Sequence, residues 1–279
     1  APQLQSHQDE LNKQADELFE EIGELPDGDA RDEKESELTR VQSIAGRATY
    51  FAGWSSYYLG LTRSDPNDAS DDFAAARKVF QKVLGLSDED SNYSKVEVAW
   101  LGLESPWRAR SVIGLGLAEA ATGNLSGSEA VFQWLDSNAA APEIRDQAAY
   151  WYVQGLINAK QYTPAENYAA ERIQKFTSAA TQGKISLCVA LIRTGYSDGA
   201  SAAAKELGPL GIAGLTRMKQ FGALKTLIDR YNVDLSKEDD FYSLWILGQQ
   251  KFDEAEASKS EEDYQTAEEL FTKALAADG

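Results

Sequence analysis

The last thirty-nine residues, 241–279, contain the apolar pattern that most restricts how this chain folds. Tyr264, Ala267, Phe271 and Ala274 follow one another at spacings of three, four and three residues. On an α-helix these spacings return side chains to one face, so a narrow stripe of alternating large and small residues must pack against a neighbour. Leu247-Gly248 lies upstream in a separate apolar segment. The pattern therefore predicts two helices that pack against each other as a hairpin.

Small residues of the same kind recur along the chain at a nearly constant interval. Ala130, Ala165 and Ala200 are separated by 35 residues each, and Ala267 follows Ala200 after 67 residues, close to two further intervals. Recurrence with a period of this length is typical of arrays in which two-helix units stack in a row. We therefore expect these four alanines to occupy equivalent positions in successive helical pairs.

These motifs resemble the tetratricopeptide repeat (TPR), which has Leu-Gly in its first helix and a Tyr, Ala, Phe, Ala series in its second. Leu59-Gly60, followed by Ala76 and Phe80, fits the same scheme. The resemblance covers residues 45–279 and implies an all-α fold, an α-solenoid of about six antiparallel helical hairpins wound into a right-handed superhelix. Related helical-hairpin solenoids share much of this pattern.

Two parts of the resemblance are imperfect, and each carries an expectation. Residues 208–233 contain glycines at 211, 214 and 222 without the Tyr, Ala, Phe, Ala series, so we expect irregular packing there. In the last hairpin Gly248 and Ala267 are 19 residues apart, which is longer than the family spacing and predicts that one or both helices are extended.

The first 44 residues form a separate, acidic helical segment in this interpretation. Leu11, Ala15, Leu18 and Ile22 follow at steps of four, three and four, which indicates an amphipathic helix. A turn at residues 26–28 separates it from a second long helix that we place at about 32–62. We expect the two to form an N-terminal helical hairpin that caps a repeat domain covering residues 45–279.

The charge of the chain restricts its partners. Acidic residues outnumber basic ones by 45 to 27, for a net charge of −18, and residues 1–40 alone contribute −9. Such a field repels polyphosphates, so nucleic acid is excluded as an expected partner, and a basic or neutral protein is favoured. No apolar run is long enough to span a membrane.

The residues that usually support chemistry are sparse. His7 is the only histidine and Cys188, in an apolar run, is the only cysteine, so neither a His-based catalytic set nor a His- or Cys-based metal site is predicted. Two acidic loops, at residues 88–99 and 232–243, alternate oxygen-bearing side chains as a calcium loop does. Both lack its glycine and its final Glu, so helix caps or solvated turns explain them better. We expect no cofactor.

The surface is the remaining candidate for function. In the family, first helices line the concave side, and certain of their positions touch ligands. Carried over by the Leu-Gly and Ala anchors, these positions are aromatic, amide or basic residues that suit an extended peptide: Trp54, Tyr57, Tyr150, Gln154, Asn158, Arg193, Tyr242, Trp245 and Gln249.

We therefore expect a non-catalytic protein-protein interaction scaffold that binds a partner protein or peptide in an aromatic-lined groove. Two alternatives remain open. An all-helical α/α toroid enzyme acting on saccharides would use paired carboxylates and tryptophans, and a structural assembly module of a larger envelope protein would self-associate.

The two ends of the sequence carry expectations of their own. The chain starts Ala1-Pro2-Gln3 without an initiator Met, as after removal of a signal peptide or at a cloning boundary. The first explanation favours a bacterial periplasmic or other extracytoplasmic location over the cytoplasm. The family pattern continues into another repeat shortly after Ala274, which predicts that the native chain extends further.

Overall fold

The computed structural model describes residues 2–87, 93–136, 141–175 and 182–277, and within these ranges the protein is helical without any strand. The all-α class expected from the sequence is confirmed. The chain divides into two compact units, Ala1–Ala159 and Lys160–Gly279. The expected boundary between residues 44 and 45 instead falls inside one uninterrupted helix.

The first unit contains six α-helices in its described part, with two short 3-10 turns, Tyr93–Lys95 and Val98–Leu101, between the third and the fourth. Their bounds are α1 Pro2–Glu24, α2 Asp29–Thr62, α3 Pro66–Leu84, α4 Pro106–Ala121, α5 Leu125–Asp136 and α6 Pro142–Asn158.

The second unit contains seven described α-helices, and one 3-10 turn, Leu235–Lys237, precedes the last pair. Their bounds are α7 Tyr162–Gln174, α8 Gln182–Gly195, α9 Ala202–Lys205, α10 Leu207–Arg217, α11 Phe221–Tyr231, α12 Phe241–Ser258 and α13 Glu261–Ala277.

Local chemistry explains where several helices begin. The Asp65 side chain accepts a hydrogen bond from the Asn67 backbone N–H at 2.7 Å, and Pro66 then occupies the first position of α3. Asp240 caps α12 in the same way, accepting from the backbone N–H groups of Tyr242 and Ser243. A carboxylate at this position accepts hydrogen bonds from backbone N–H groups that have no partner inside the helix. Its negative charge also interacts favourably with the positive end of the helix dipole.

The N-terminal hairpin pairs α1 with the first half of α2. Ala15 and Leu18 of α1 are buried against Val41 of α2, with Leu11 and Leu38 partly buried beside them. Leu11, Ala15 and Leu18 are among the residues whose spacing predicted an amphipathic first helix. The long second helix runs from residue 29 to 62, close to the predicted range.

Phenylalanine rings pressed onto helical glycines join the next helices of the first unit. Phe80 of α3 is completely buried between Gly53 of α2 and Gly114 of α4. A Cβ atom added to either glycine would lie only 2.7 Å or 2.3 Å from the Phe80 ring. Gly116 of α4 receives Phe132 of α5 in the same manner. The glycines therefore let α2 and α4 close on the same Phe80 ring of α3, and they let α4 approach α5.

Close helix contacts also hold the second unit together. A Cβ on Gly195 of α8 would lie 2.3 Å from the backbone nitrogen of Gly208, next to the start of α10, so the two backbones nearly touch. In the last hairpin Gly248 of α12 faces Phe271 of α13, and Ala267 and Ala274 are buried. The helices of this hairpin contain 18 and 17 residues, which confirms the predicted extension.

The expected equivalence of the four alanines is wrong. Ala165 and Ala267 are buried on α7 and α13, but Ala130 is only partly buried, and Ala200 lies outside any helix. The short helix α9 begins after Ala200, because Ser201 is its capping residue. Gly199, two residues earlier, has a φ of +76° and lies in the turn before the helix. The 35-residue interval is therefore not an interval between equivalent packing positions.

Candidate functional site

An open groove with a volume of about 760 Å³ is bordered by three helices of the first unit, α2, α4 and α6. Its described lining is mainly aromatic and aliphatic. α2 contributes the largest share, including four rings in three helical turns, and α4 and α6 complete the wall. The main lining residues are Tyr50, Phe51, Trp54, Tyr58, Leu59, Arg110, Ile113, Gln147 and Trp151.

The spacing on α2 separates a side that packs from a side that faces the groove. Tyr50, Trp54 and Tyr58 are four residues apart, so they follow one side of the helix. Gly53 and Gly60, on another side, receive the rings of α3. Because α3 holds α2 through these glycines, the aromatic stripe is left facing the groove.

Trp54 is the centre of the aromatic cluster. Its ring is stacked with Tyr58 at a centroid distance of 5.7 Å and contacts Trp151 of α6 at 5.8 Å. The buried Phe80 meets it edge-on at 5.6 Å, and Tyr50 lies at 6.3 Å. Offset and edge-on ring pairs at such distances are favourable beyond their buried area. The cluster is therefore held in place before any ligand arrives.

Part of this cluster remains exposed to solvent. The side chain of Phe51 is 57% exposed and that of Tyr58 is 49% exposed, while Trp54 and Trp151 are partly buried. Large apolar side chains that are grouped and exposed mark interaction surfaces more often than scattered ones do. The groove thus offers rigid aromatic area that a ligand can cover.

Polar groups are few in the groove. Burial raises the pKa of the Tyr50 hydroxyl, and the positive charge of Arg110 offsets part of this rise. The Trp54 Nε1 is buried without a hydrogen bond of standard geometry, and its proximity to the Tyr50 hydroxyl lowers the pKa of Tyr50 less than Arg110 does. Burial also raises the pKa of Tyr58, so both phenols remain protonated at neutral pH. They can therefore donate hydrogen bonds to a ligand.

Of the five candidate residues in the first unit, Trp54 lines the groove and Tyr57 does not. The Tyr57 side chain is 1% exposed, and its burial raises the pKa to about 12, with an interaction from Asn158 partly opposing the rise. Tyr57 belongs to the core that supports α2, because it points to α3, where its ring contacts Phe73 at 5.6 Å. Tyr57 is therefore a core residue of the first unit and not the ligand-contacting residue that was expected.

The other three lie on α6 beside the groove and are absent from its described lining. Tyr150 contacts the ring of Trp151 at 5.0 Å. The Gln154 Nε2 donates a hydrogen bond to Asn158 Oδ1 at 2.9 Å, so these two amides are engaged with each other.

The four candidates in the second unit do not share a described cavity. Arg193 is exposed on α8, and the Gln249 amide donates to Asp253 at 2.9 Å. Arg217 donates a hydrogen bond to the Tyr242 hydroxyl. Trp245 lies between two rings, Phe241 at 5.8 Å and Phe271 at 4.9 Å. Tyr242 and Trp245 thus contribute to packing within the second unit.

Sequence reasoning missed several lining residues, chiefly Tyr50, Phe51, Tyr58, Arg110, Gln147 and Trp151. A signal for some of them was present. Aromatic residues at positions 50, 54 and 58 repeat at four-residue steps, which marks one face of α2 without reference to any family. Nothing in the local pattern indicated that Trp151 and Arg110 would join that face.

The other sites considered from sequence are structural where they are described. Asp234 accepts a hydrogen bond from the Ser236 backbone N–H and caps the 3-10 turn, and Asn232 ends α11 in a left-handed conformation, so the cap interpretation is confirmed. In the first acidic loop, the alternating Asp88, Asp90 and Asn92 lie outside the described residues. Cys188 is buried, as predicted.

Within the described ranges, no three His, Cys, Asp or Glu residues converge as metal ligands would. None of the helices described there combines the length and hydropathy needed to cross a membrane. Comparison with protein-family models, curated proteins and solved structures gave no match for this chain.

Proposed function

We propose that the protein is a non-catalytic scaffold that binds a segment of a partner protein in the groove formed by α2, α4 and α6. The observation that carries this proposal is the preorganised cluster of Trp54, Tyr58 and Trp151 on an open and partly exposed surface. Aromatic anchors provide large contact area with few rotamers to restrict, which is why they dominate binding energy at interfaces.

The helix contacts of the first unit support a TPR-type array of hairpins as the setting for this groove. α2 packs against both α3 and α4, and α3 packs against α4. The same relation repeats for α4, α5 and α6. Each first helix therefore contacts its own second helix and the next first helix, as in a solenoid of stacked hairpins. We extend this arrangement to about six hairpins as part of the proposal.

The lining of the groove favours binding over saccharide hydrolysis. Glycoside hydrolases use two carboxylates about 5 to 10 Å apart. The described lining residues include no Asp or Glu, and the charged one among them is Arg110. The tryptophans would suit a sugar ring, but the acid and base for hydrolysis are absent from this described wall.

A displayed library of random twelve-residue peptides, selected on the full chain, tests the proposal. We expect the selected peptides to be rich in aromatic and aliphatic residues. A synthetic peptide from the pool should lose at least about fivefold in affinity when Trp151 or Tyr58 is replaced by alanine, since truncated aromatic anchors at interfaces cost about 1 kcal/mol or more.

The matched control is Trp100→Ala. The Trp100 side chain is 80% exposed and lies outside the described groove lining, so its removal should leave the affinity unchanged. Circular dichroism separates loss of binding from loss of fold. Failure to select any peptide that depends on Tyr58 and Trp151 would exclude the groove as a peptide site.

A further inference from the structure

The positive charge in the groove is opposite in sign to the protein as a whole. Arg110 lies on α4, is exposed, and lines the same groove as the Trp54 cluster. Among the described residues it forms neither an ion pair nor a hydrogen bond, although its charge acts on the nearby Tyr50 hydroxyl. The groove therefore presents a guanidinium with its donors available.

Several other cations of this acidic chain are paired internally. Arg31 contacts Asp27 and Glu35 at 3.0 Å each, and Arg63 contacts Asp72 at 2.7 Å. Arg110 has no such carboxylate within reach in the described structure. A ligand carboxylate would therefore meet its donors without first displacing an internal partner.

On these grounds, and resting on the proposed function, we propose that the bound segment carries an Asp or Glu that pairs with Arg110, next to an apolar side chain that packs on Trp54 and Trp151. The planar guanidinium can hold a carboxylate through two parallel hydrogen bonds, which fixes its position as well as its charge.

This inference changes the partner expected from net charge alone. The charge of −18 favours a basic or neutral partner, and half of it comes from residues 1–40. Salt screens exposed charges over about 8 to 10 Å, so the charge that contacts the ligand decides local specificity. Net charge thus favours a partner that is basic or neutral overall, while the segment that it places in the groove is apolar and acidic.

The dimensions of the groove fit a short segment. The lining on α2 extends from Tyr50 to Thr62, which corresponds to about 18 Å along the helix axis. An extended peptide covers this length with about five or six residues. Gln147, whose side chain forms no hydrogen bond within the described residues, can offer a donor and an acceptor to the peptide backbone.

The test compares three proteins in the same twelve-residue display selection: the unmodified chain, Arg110→Glu and Arg193→Glu. Arg193 is exposed on α8 in the second unit, so its substitution makes the same change in net charge outside the groove. We expect Asp and Glu to be enriched in peptides selected on the unmodified chain and on Arg193→Glu. Peptides selected on Arg110→Glu should instead be enriched in Lys and Arg.

A double-mutant cycle then assigns the pair. For one selected peptide, replacement of its acid by the matching amide should weaken binding about fivefold or more to the unmodified chain and less than twofold to Arg110→Gln. Circular dichroism should show unchanged helicity for Arg110→Glu and for Arg110→Gln, because Arg110 is exposed.

The possible failures are distinguishable. If the selected peptides need Tyr58 and Trp151 but show no acid preference, or if the amide costs the same with Arg110→Gln, the pairing is wrong and the groove function stands. If no aromatic-dependent peptide is selected, the proposed function itself fails, and the pairing fails with it.

Discussion

The rings of Trp54 and Trp151 lie 5.8 Å apart, although they belong to α2 and α6, which are the first and third helices bordering the groove. Their contact depends on α4 lying close to both. α4 reaches that position because its glycines receive Phe80 and Phe132 without the obstruction of a Cβ atom. The fold of the first unit thus assembles an aromatic surface from distant parts of the sequence.

Replacement of Trp54 by alanine should destabilise the first unit, whereas replacement of Phe51 should not. Trp54 contacts Phe80, Tyr58 and Trp151, so its loss leaves a cavity and should cost about 2–4 kcal/mol. Phe51 is 57% exposed and should change stability by less than about 0.5 kcal/mol. Urea denaturation followed by circular dichroism measures both. Equal effects would mean that Trp54 is not the centre of the cluster.

The sequence predicted the helices better than it predicted their contacts. Spacings of three and four residues located α1, α2, α12 and α13, since local periodicity reports which face of a helix is apolar. It does not report which distant helix covers that face. Tyr93 shows this: its side chain is almost completely buried, although residues 88–99 were interpreted as a helix cap or a solvated turn.

The errors in the candidate site have a specific geometric cause. On α6 the family positions selected Tyr150 and Gln154, whereas the groove is lined by Gln147 and Trp151. On α2 they selected Trp54, which lines the groove, and Tyr57, whereas the neighbouring Tyr58 lines it. One residue along a helix is a rotation of about 100°, so a register error of one position exchanges a groove residue for a neighbouring face. The rotation of each helix is set by packing against helices that are distant in sequence, which the local pattern does not report.

Replacement of Gly211 by alanine should destabilise the second unit. A Cβ at this position would lie 2.5 Å from the backbone oxygen of Cys188, and backbone atoms cannot move aside cheaply. We expect a loss of about 1–3 kcal/mol, as found for overpacked cores. Gly222→Ala is the control, because nothing lies within 4 Å of its Cβ position. It should be neutral or stabilising by up to about 1 kcal/mol in the same urea titration. Similar midpoints for the two variants would contradict the close approach of α8 and α10.

Replacement of Tyr93 by phenylalanine should destabilise the first unit through its buried polar network. The Tyr93 hydroxyl donates to the fully buried Glu119, and Asn124 Nδ2 donates to the other carboxylate oxygen at 2.7 Å. Phenylalanine keeps the ring against Trp134 but leaves Glu119 without one donor, which should cost about 1–3 kcal/mol.

Tyr58→Phe removes a hydroxyl that forms no hydrogen bond within the described residues, and it should change stability by less than about 0.5 kcal/mol. Thermal denaturation of the two variants side by side provides the comparison. If Tyr93→Phe were as stable as Tyr58→Phe, the network would not contribute to stability.

The thiol of Cys188 should be unreactive while the second unit is folded. Its burial raises the pKa to about 12, so almost no thiolate is present at pH 8, and the reagent has no access. A colourimetric disulfide reagent should report no free thiol in the native protein and one in guanidinium. Ser55→Cys provides the control, since residue 55 is exposed in the groove and should react at once. Reaction of Cys188 at a similar rate would show that the contact of α8 with α10 opens readily.

Two glutamates of α7 should influence stability with opposite dependence on pH. Burial, together with the hydrogen bond and the negative charge of Glu206, raises the pKa of Glu166 above its value in the unfolded chain. Lys175 donates a hydrogen bond to Glu171 and attracts it, which lowers the pKa of Glu171. The folded state therefore binds a proton more tightly at Glu166 and less tightly at Glu171 than the unfolded state does.

The sign of each effect follows from this difference. The contribution of Glu166 is favourable below its unfolded pKa and is lost as the pH rises through its folded pKa, so Glu166→Gln should raise the Tm relative to the unmodified protein at pH 7. The contribution of Glu171 is present above its unfolded pKa and is lost as the pH falls, so Glu171→Gln should lower the Tm at pH 7 slightly, as expected for an exposed pair. Tm differences from the unmodified protein, measured from pH 4 to pH 8, cancel the titration of groups that do not interact with the replaced glutamate. As the pH falls, the Tm deficit of Glu171→Gln should shrink, and the Tm gain of Glu166→Gln should shrink as well. A Glu166→Gln gain that is independent of pH would instead indicate a packing effect, and would show that proximity to Glu206 does not set the ionisation of Glu166.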